Sequence, residues 1–346
     1  MTDKSYYLKN LHCSVPLSNV LIDEQGDIYK CFCQAWLPHP IGNIINIESK
    51  QEFLDLDNNN FVKDSILDSS HKFCREDLCA ALQQIKYNNF NKNFISPERI
   101  PAHTLSRLQL VIDPSCNLKC PTCRSDLILK HNDQAFQTRL QNILDKIDQI
   151  FFNPLEIKEV FLLGNGEFLA SNKIKNWIFE KATQYPRLRF LLQTNGTLIY
   201  TYKEKLEPVF KSTDLLLISI DASNKDVYAK TRINGNWDHL VAGLDWLNEK
   251  FPHLKINFNY VVSSNNYYDM NDFINFVKKY NICKIYFSRV QKWEHLWQSD
   301  SDWNNLNIFD ENHILFSNFI EKLKQVDFKN ESIQCNFLDF INENKI

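Results

Sequence analysis

Short apolar segments alternate with amphipathic stretches of helical length in the second part of the chain, and this alternation constrains the fold most strongly. Six segments have the length and apolar character of buried strands: Leu108–Asp113, Val160–Leu163, Phe190–Gln193, Leu215–Ile220, Ile256–Val262 and Ile285–Val290. Helical candidates follow the first five, at Gln137–Ile150, Lys173–Thr183, Lys203–Phe210, Trp237–Lys250 and Met270–Lys279. Strands separated by helices pair in parallel, because a parallel neighbour needs a long crossover connection. The pattern therefore predicts an α/β fold with a parallel sheet.

A segment without clear periodicity, which carries Pro97 and Pro101, separates this part from the N-terminal part. A chain of 346 residues is long enough for about two domains. We predict a small cysteine-rich domain over residues 1–100 and the strand-and-helix core over residues 101–290. Residues 291–346 contain a predicted helix from His313 to Gln325, so we expect a helical extension there.

Composition argues against nucleic-acid and membrane partners and narrows the possible roles of the ten cysteines. The 39 Lys and Arg residues against 42 Asp and Glu residues give a net charge of −3, which provides no basic field for nucleic acid or an anionic membrane surface. No secretory signal or run of ~18 apolar residues is found, so we expect a cytoplasmic protein with no membrane partner. In a reducing compartment, ten cysteines suit metal binding, catalysis or burial better than disulfides.

Three cysteines, Cys116, Cys120 and Cys123, lie on one loop directly after the first predicted strand, in the sequence CNLKCPTC. Thiolate sulfur is the preferred ligand of iron–sulfur clusters, and three thiolates can bind three irons of a cubane while the fourth iron stays open. A zinc site or three incidental buried cysteines are the alternatives. Structural zinc normally takes four ligands, and the next histidine after the loop is His131. The loop therefore favours an iron–sulfur cluster.

Further polar motifs follow the next three predicted strands: GNGE at 164–167, TNG at 194–196 and SID at 219–221. Each is an ordinary turn sequence by itself, but parallel sheets place their chemistry at the carboxyl ends of the strands. With CNLKCPTC, these motifs resemble those of radical S-adenosylmethionine (SAM) enzymes, namely CxxxCxxC, GGEP, TNG and S-x-D…Y-x-K-x-R, over roughly residues 106–290. Departures from the family pattern are Asn165 for glycine, Phe168 for proline and Thr122 for an aromatic residue.

The resemblance implies a partial (β/α)6 barrel and a [4Fe-4S] cluster on Cys116, Cys120 and Cys123, whose open iron binds SAM. It also implies a set of cofactor-binding residues: Gly166, Glu167, Thr194, Asn195, Ser219, Asp221 and Arg232. Within this set, Gly166 and Glu167 hold the amino group of SAM, and Arg232 is the candidate for its carboxylate. A carboxylate suits an ammonium group, and the fork of an arginine suits a carboxylate. Ser219 and Asp221 approach the ribose or the sulfonium.

The family activity follows from the same resemblance. An external one-electron donor, such as flavodoxin or ferredoxin, reduces the cluster, and SAM is cleaved to methionine and a 5′-deoxyadenosyl radical. The radical then abstracts a hydrogen atom from the substrate. The protein positions the cofactor and the substrate and excludes water.

The N-terminal cysteines form a second group, with Cys13, Cys31, Cys74 and Cys79 as our choice of ligands and Cys33 as a spare candidate. The C-x12-G-x4-C spacing resembles the SPASM/Twitch auxiliary-cluster domains of radical SAM enzymes, which usually follow the barrel. This resemblance implies a second [4Fe-4S] cluster. A structural zinc ion on the same four thiolates is the alternative, because the spacing does not separate the two metals.

Several interpretations of the substrate stay open. We favour the modification of a ribosomally synthesised peptide, because auxiliary clusters are common in such enzymes, with radical modification of a sugar, nucleoside or other small molecule as the alternative. A non-catalytic, cluster-binding regulatory protein is a further alternative. Cys335 is either a hydrogen-atom donor to a substrate radical or an ordinary surface thiol, and Cys283 is expected to be a small buried residue.

Overall fold

The computed structural model describes residues 12–32, 34–75, 79, 82, 95–96, 105–153, 155–292 and 300–344. Cys33, the spare ligand candidate, lies outside the described residues. The chain divides into two compact units. The first unit comprises Met1–Asp113 and Asp133–Leu163, and the second comprises Pro114–Asn132 and Gly164–Ile346.

The first unit contains seven described strands: β1 (His12–Cys13), β2 (Asn19–Asp23), β3 (Asp27–Tyr29), β4 (Gly42–Asn43), β5 (Ile95–Ser96), β6 (Arg107–Val111) and β7 (Glu159–Leu162). Strands β7, β6 and β2 pair in parallel, and β3 and β4 continue the sheet in antiparallel order. Strand β2 precedes the predicted boundary near residue 100, yet Val20 pairs with Leu108 of β6. Residues on both sides of that boundary thus share one sheet.

Four described helices belong to the first unit: α1 (Val15–Ser18), α2 (Lys50–Asn58), α3 (Phe61–Leu67) and α4 (Gln134–Phe151). Helix α4 extends the predicted Gln137–Ile150 by one turn at its start, because the Asp133 side chain accepts the Phe136 N–H at 3.0 Å. Its buried face repeats at helical spacing, with Leu140, Ile143 and Ile147 inside.

The second unit is built on a parallel sheet of five strands in sequence order: β8 (Arg189–Thr194), β9 (Leu215–Ser219), β10 (Lys255–Val262), β11 (Ile282–Arg289) and β12 (Ile333–Cys335). Its described helices are α5 (Asn172–Gln184), α6 (Lys203–Lys211), α7 (Lys225–Thr231), α8 (Trp237–Lys250), α9 (Met270–Val277), α10 (Asp300–Leu306), α11 (Phe316–Leu323) and α12 (Leu338–Glu343). The predicted mixed α/β fold is confirmed. No helix in the described ranges is long and apolar enough to cross a membrane.

The C-terminal part differs from the purely helical extension that the sequence predicts. Helix α11 is shorter than the predicted His313–Gln325, and strand β12 pairs in parallel with β11, with Cys335 opposite Phe287. A three-residue strand carries no recognisable period of its own. Its conformation depends on pairing with β11.

The two faces of the sheet in the second unit differ in chemistry. Phe258 and Tyr260 of β10 pack on Phe273 of α9, with ring centroids 6.4 and 4.7 Å apart, so this face lies against helices. Successive strand residues point to opposite faces. The opposite face carries four half-buried polar residues aligned in register across β9 to β12, which we call the polar row: Ser219, Asn259, Tyr286 and Gln334.

Candidate functional site

The cysteine loop of the second unit is held by backbone hydrogen bonds. The Cys116 N–H donates to the Ile128 carbonyl at 2.8 Å, and the Cys123 and Arg124 N–H groups donate to the Cys120 carbonyl at 2.9 and 3.0 Å. These bonds form a tight turn that contains two of the cysteines. Cys116 and Cys120 are buried, whereas Cys123 is exposed.

Each of the three thiol sulfurs has a hydrogen-bond donor beside it. The Cys116 sulfur lies 3.4 Å from the Leu118 nitrogen and 3.8 Å from Asn195 Nδ2. The Cys120 sulfur lies 3.6 Å from Arg232 Nη1, and the Cys123 sulfur lies 3.8 Å from Arg124 Nη2. Donors of this kind stabilise thiolates rather than neutral thiols, so this environment fits sulfurs that carry negative charge.

Burial opposes the charge that the donors stabilise on two of these thiols. Burial raises the pKa of the Cys116 thiol to about 11 and also raises that of Cys120, although the Arg232 guanidinium opposes the second shift. Bound metal displaces the protons of such thiols, so loading releases them. Within the described ranges, no three Cys, His, Asp or Glu side chains converge on a single metal ion. A cubane differs from such a site, since each thiolate binds a different iron.

Glu167 lies at the predicted strand end beside the cysteine loop, with its N–H donating to the Ser115 carbonyl at 2.7 Å. Its buried carboxylate accepts hydrogen bonds from Thr194 Oγ1 at 2.9 and 3.0 Å and from the Asn195 N–H at 2.7 Å. Burial raises the pKa of Glu167 to about 7, against the opposing effect of these donors. Thr194 and Asn195 therefore hold the Glu167 carboxylate in place.

The backbone of the GNGE loop explains how Asn165 is accommodated. Gly164 and Gly166 have φ angles of 106° and 97°, a region that favours glycine, whereas Asn165 is not among the residues with positive φ. The position that departs from the family pattern thus needs no glycine in this chain. Phe168 begins a short 3-10 turn and is buried.

Asp221 and Arg232 form a buried ion pair, with Arg232 Nη2 2.8 Å from Asp221 Oδ2. Asp221 has a φ of 61°, and its Oδ1 accepts the Val261 N–H at 2.7 Å. Burial raises the pKa of the Asp221 carboxyl, and Arg232 opposes this shift. Arg232, the residue expected at the SAM carboxylate, thus already binds Asp221 and the sulfur of Cys120.

The remaining predicted cofactor residue and the predicted hydrogen-atom donor lie on different faces of the sheet. Ser219 ends β9 in the polar row, in register with Asn259. Cys335 pairs with Phe287 and follows Gln334 directly, so its side chain points to the helix-covered face. Burial raises the pKa of the Cys335 thiol to about 11.

The four N-terminal cysteines all belong to the first unit, where no three of the described ones converge on a single metal ion. Burial is the main cause that raises the pKa of the Cys13 thiol, and charge on Cys31, Cys74 and Cys79 raises it further. The three other thiols are therefore close enough to Cys13 to interact electrostatically with it. The Cys74 sulfur lies 4.0 Å from Nδ1 of His71, a residue outside the predicted ligand set.

Two further residues, Arg124 and Asn117, lie at the cysteine loop and were not among the predicted site residues. Arg124 is buried beside the Cys123 sulfur, and its only sequence signal is its position directly after the last cysteine. Asn117 donates from Nδ2 to Thr197 Oγ1 at 2.9 Å and accepts a hydrogen bond from Asn195 at 3.0 Å. It lies between two predicted ligands, where the sequence alone indicates only a turn.

Solved structures similar to this chain include SuiB from Streptococcus suis bound to its precursor peptide SuiA, at 13% identity and a TM-score of 0.42, covering 96% of this chain and 75% of that one. TYW1 with a lysine-pyruvate adduct is similar at 16% identity and a TM-score of 0.36, covering 64% and 71%. A radical SAM methyltransferase from Sphaerobacter thermophilus is similar at 11% identity and a TM-score of 0.36, covering 56% of each chain. Similarity at this level transfers no substrate or partner to this chain.

One family model matches part of the sequence. No curated protein matches the chain. Residues 110–277 match the family model of the Radical SAM superfamily, a span that begins within β6, includes the three cysteines and ends with α9. Residues 110–277 are therefore a radical SAM superfamily domain, and the chain that carries it is an enzyme.

Proposed function

We propose that this chain cleaves SAM at a [4Fe-4S] cluster held by Cys116, Cys120 and Cys123, and that the resulting radical modifies a ribosomally synthesised peptide. The observation that carries the first part is the set of donors beside the three sulfurs, because every thiol of the loop has a polar group that stabilises its thiolate. When bound, the cluster supplies the electron that splits SAM into methionine and the 5′-deoxyadenosyl radical.

Glu167 binds the amino group of SAM in this proposal. Its carboxylate is buried and oriented by Thr194 and Asn195, so little side-chain freedom remains to be lost on binding. An ammonium group beside it favours the ionised form and lowers its raised pKa. Gly166, directly before it, has a positive φ that lets the backbone turn towards the ligand.

The polar row supports the choice of a peptide substrate. Ser219, Asn259, Tyr286 and Gln334 are uncharged, and none of these side chains forms a hydrogen bond to another residue within the described ranges. Amide and hydroxyl groups offer donors and acceptors side by side, which suits the N–H and C=O groups of a peptide. The hydroxyl groups of a sugar or nucleoside are the alternative ligands of the same chemistry.

A second [4Fe-4S] cluster on Cys13, Cys31, Cys74 and Cys79 is part of the proposal. It is supported by the electrostatic effect of the other three thiols on Cys13. Four thiolates close the coordination of a cubane, so this cluster would leave no iron for SAM. A zinc ion is the alternative. About eight iron atoms per reconstituted chain support two clusters, whereas about four with one zinc ion contradict the second.

A small electron carrier such as flavodoxin or ferredoxin is the proposed electron donor. Cys123 is the exposed cysteine of the loop, so a cluster bound there has an edge near the surface of the second unit. A short path from the surface favours transfer from a carrier that docks transiently.

The test is anaerobic reconstitution followed by incubation with SAM and dithionite. We expect 5′-deoxyadenosine and methionine from the wild-type chain and from Cys283→Ala, a cysteine outside both groups, and none above background from Cys116→Ala. A wild-type chain that holds iron but forms no 5′-deoxyadenosine would support the non-catalytic alternative instead. Incubation with a peptide encoded beside the gene, and with sugar nucleotides, followed by mass spectrometry, separates the two substrate classes.

A further inference from the structure

Arg124 is a buried cation without a carboxylate partner. Its side chain is 7% exposed, Nη1 donates to the Pro114 carbonyl at 3.0 Å, and Nη2 lies 3.8 Å from the Cys123 sulfur. No Asp or Glu among the described residues forms an ion pair with it. Buried charges in proteins are normally paired, and a metal-bound Cys123 thiolate would supply the negative partner of this guanidinium.

The second arginine of the site differs in this respect. Arg232 contacts the Cys120 sulfur at 3.6 Å, but Asp221 neutralises it at 2.8 Å. The Arg232–Asp221 pair thus adds a dipole to the site and no net charge, whereas Arg124 adds a full positive charge. The two arginines lie beside different cysteines of the same loop.

The charge of Arg124 is matched to the sulfurs around it. A cluster bound by three thiolates is anionic, and reduction adds one further negative charge. A nearby cation that is shielded from water stabilises the reduced form more than the oxidised form.

We infer that Arg124 sets the reduction potential of the cluster on Cys116, Cys120 and Cys123 by providing a buried, uncompensated positive charge, and that Asp221 limits the corresponding effect of Arg232. This inference rests on the proposed cluster. Neither arginine is assigned a role in bond cleavage, so each acts as a positioning and tuning residue. The sign of each effect follows from charge alone: removing Arg124 lowers the potential, and neutralising Asp221 raises it.

The experiment measures the reduction potential of the reconstituted full-length chain without SAM, by redox titration followed by electron paramagnetic resonance. Carrying Cys13→Ala, Cys31→Ala and Cys33→Ala in every variant leaves only two cysteines in the N-terminal group, which keeps the signal of a second cluster out of the titration. We compare the parent with Arg124→Gln, Arg124→Lys and Asp221→Asn, and we use Arg187→Gln, at an exposed arginine, as the matched control. Iron and sulfide content are measured for every sample.

Arg124→Gln is expected to make reduction about tenfold less favourable, a shift of about 59 mV to lower potential for a one-electron couple. Arg124→Lys retains most of the parent potential, Asp221→Asn shifts it upwards, and Arg187→Gln leaves it unchanged. Loss of iron in Arg124→Gln with full iron in Arg124→Lys also supports a role for the charge.

Equal potentials in Arg124→Gln and Arg187→Gln, at full iron content, would overturn the inference while the proposed function stands. A parent chain that binds iron but has no reducible cluster signal would overturn the proposed function and the inference together. The two failures are therefore distinguishable from one data set.

Discussion

Arg232 Nη2 lies 2.8 Å from Asp221 Oδ2, and both side chains are buried in the second unit. Arg232 lies at the C-terminal end of α7, where its N–H donates to the Tyr228 carbonyl at 2.8 Å, and Asp221 follows β9. The ion pair thus connects two successive elements beside the Cys120 sulfur. Its main contribution is to fix the loop between β9 and α7, since a buried pair is weak evidence for stability by itself.

Breaking this pair from one side is expected to destabilise the fold strongly. Arg232→Gln leaves the buried Asp221 carboxylate without its cation, and such losses cost about 3 to 5 kcal/mol. Lys225→Gln removes one partner of the exposed Lys225–Asp238 pair and is expected to cost less than about 1 kcal/mol. Urea denaturation of the cluster-free chain measures both. Equal losses in the two variants would contradict the assignment of the buried pair.

Glu167→Gln is expected to weaken SAM binding about tenfold or more, because hydrogen bonds to charged groups contribute about 1.5 to 3 kcal/mol. Gln also brings an N–H₂ group towards the donors of Thr194 and Asn195, which now point at the carboxylate. Calorimetric titration of the reconstituted chain with SAM measures the effect. Glu180→Gln, at an exposed glutamate of α5, is the matched control and should bind SAM like the wild-type chain.

Glu167 also predicts how stability changes with pH. Its pKa is raised from 4.5 to about 7 by burial, so the folded chain binds the proton more tightly than the unfolded chain does. The resulting stabilisation is fully present below pH 4.5 and is lost as the pH rises through about 7. We expect the free energy of unfolding of the cluster-free chain to fall across this window. The fall should be smaller in Glu167→Gln and unchanged in Glu180→Gln.

The hydrophobic pattern of the sequence was sufficient to predict those helices and strands whose apolar residues recur at regular spacing. The strand predicted at Ile256–Val262 corresponds to β10 (Lys255–Val262). The helix predicted at Trp237–Lys250 corresponds to α8, which has the same bounds. The pairing of β2 with β6 and the short strand β12 were not predictable in this way. Both depend on contacts between residues far apart in the sequence, which periodicity does not report.

In the candidate site as well, some features were predictable from the sequence and others were not. Glu167, Thr194 and Asn195 were predicted from strand-end motifs that resemble those of radical SAM enzymes, and the structure brings them within hydrogen-bonding distance of one another. The contacts of Arg232 with Asp221 and Cys120 were not predicted, and its role at the SAM carboxylate stays a prediction. Which of several acceptors an arginine contacts depends on backbone positions that only the folded chain defines.

Replacing Gly196 of the TNG motif with alanine is expected to lower the free energy of unfolding more than replacing Gly164. Both have positive φ, at 78° and 106°, so alanine is strained at either position by about 1 to 2 kcal/mol. A Cβ at Gly196 would also lie 2.6 Å from Leu240 Cδ1, whereas one at Gly164 would meet nothing within 4 Å. Overpacking adds about 1 to 3 kcal/mol. Urea denaturation should therefore give a lower free energy of unfolding for Gly196→Ala than for Gly164→Ala. The reverse order would contradict the close contact with α8.

Asn259 of the polar row provides a test of substrate recognition that leaves the SAM chemistry intact. Asn259→Leu replaces an amide with an apolar group of similar size, so the substrate loses a hydrogen-bond partner. With a substrate identified by mass spectrometry, we expect KM for that substrate to rise about tenfold, because a lost hydrogen bond costs about 1 kcal/mol or more. The rate at which 5′-deoxyadenosine forms without substrate should be unchanged. Asn275→Leu is the control, because Asn275 is an exposed residue whose side chain accepts a hydrogen bond from Lys278. A loss of substrate-free cleavage in Asn259→Leu, at full iron content, would contradict the assignment of the polar row to the substrate.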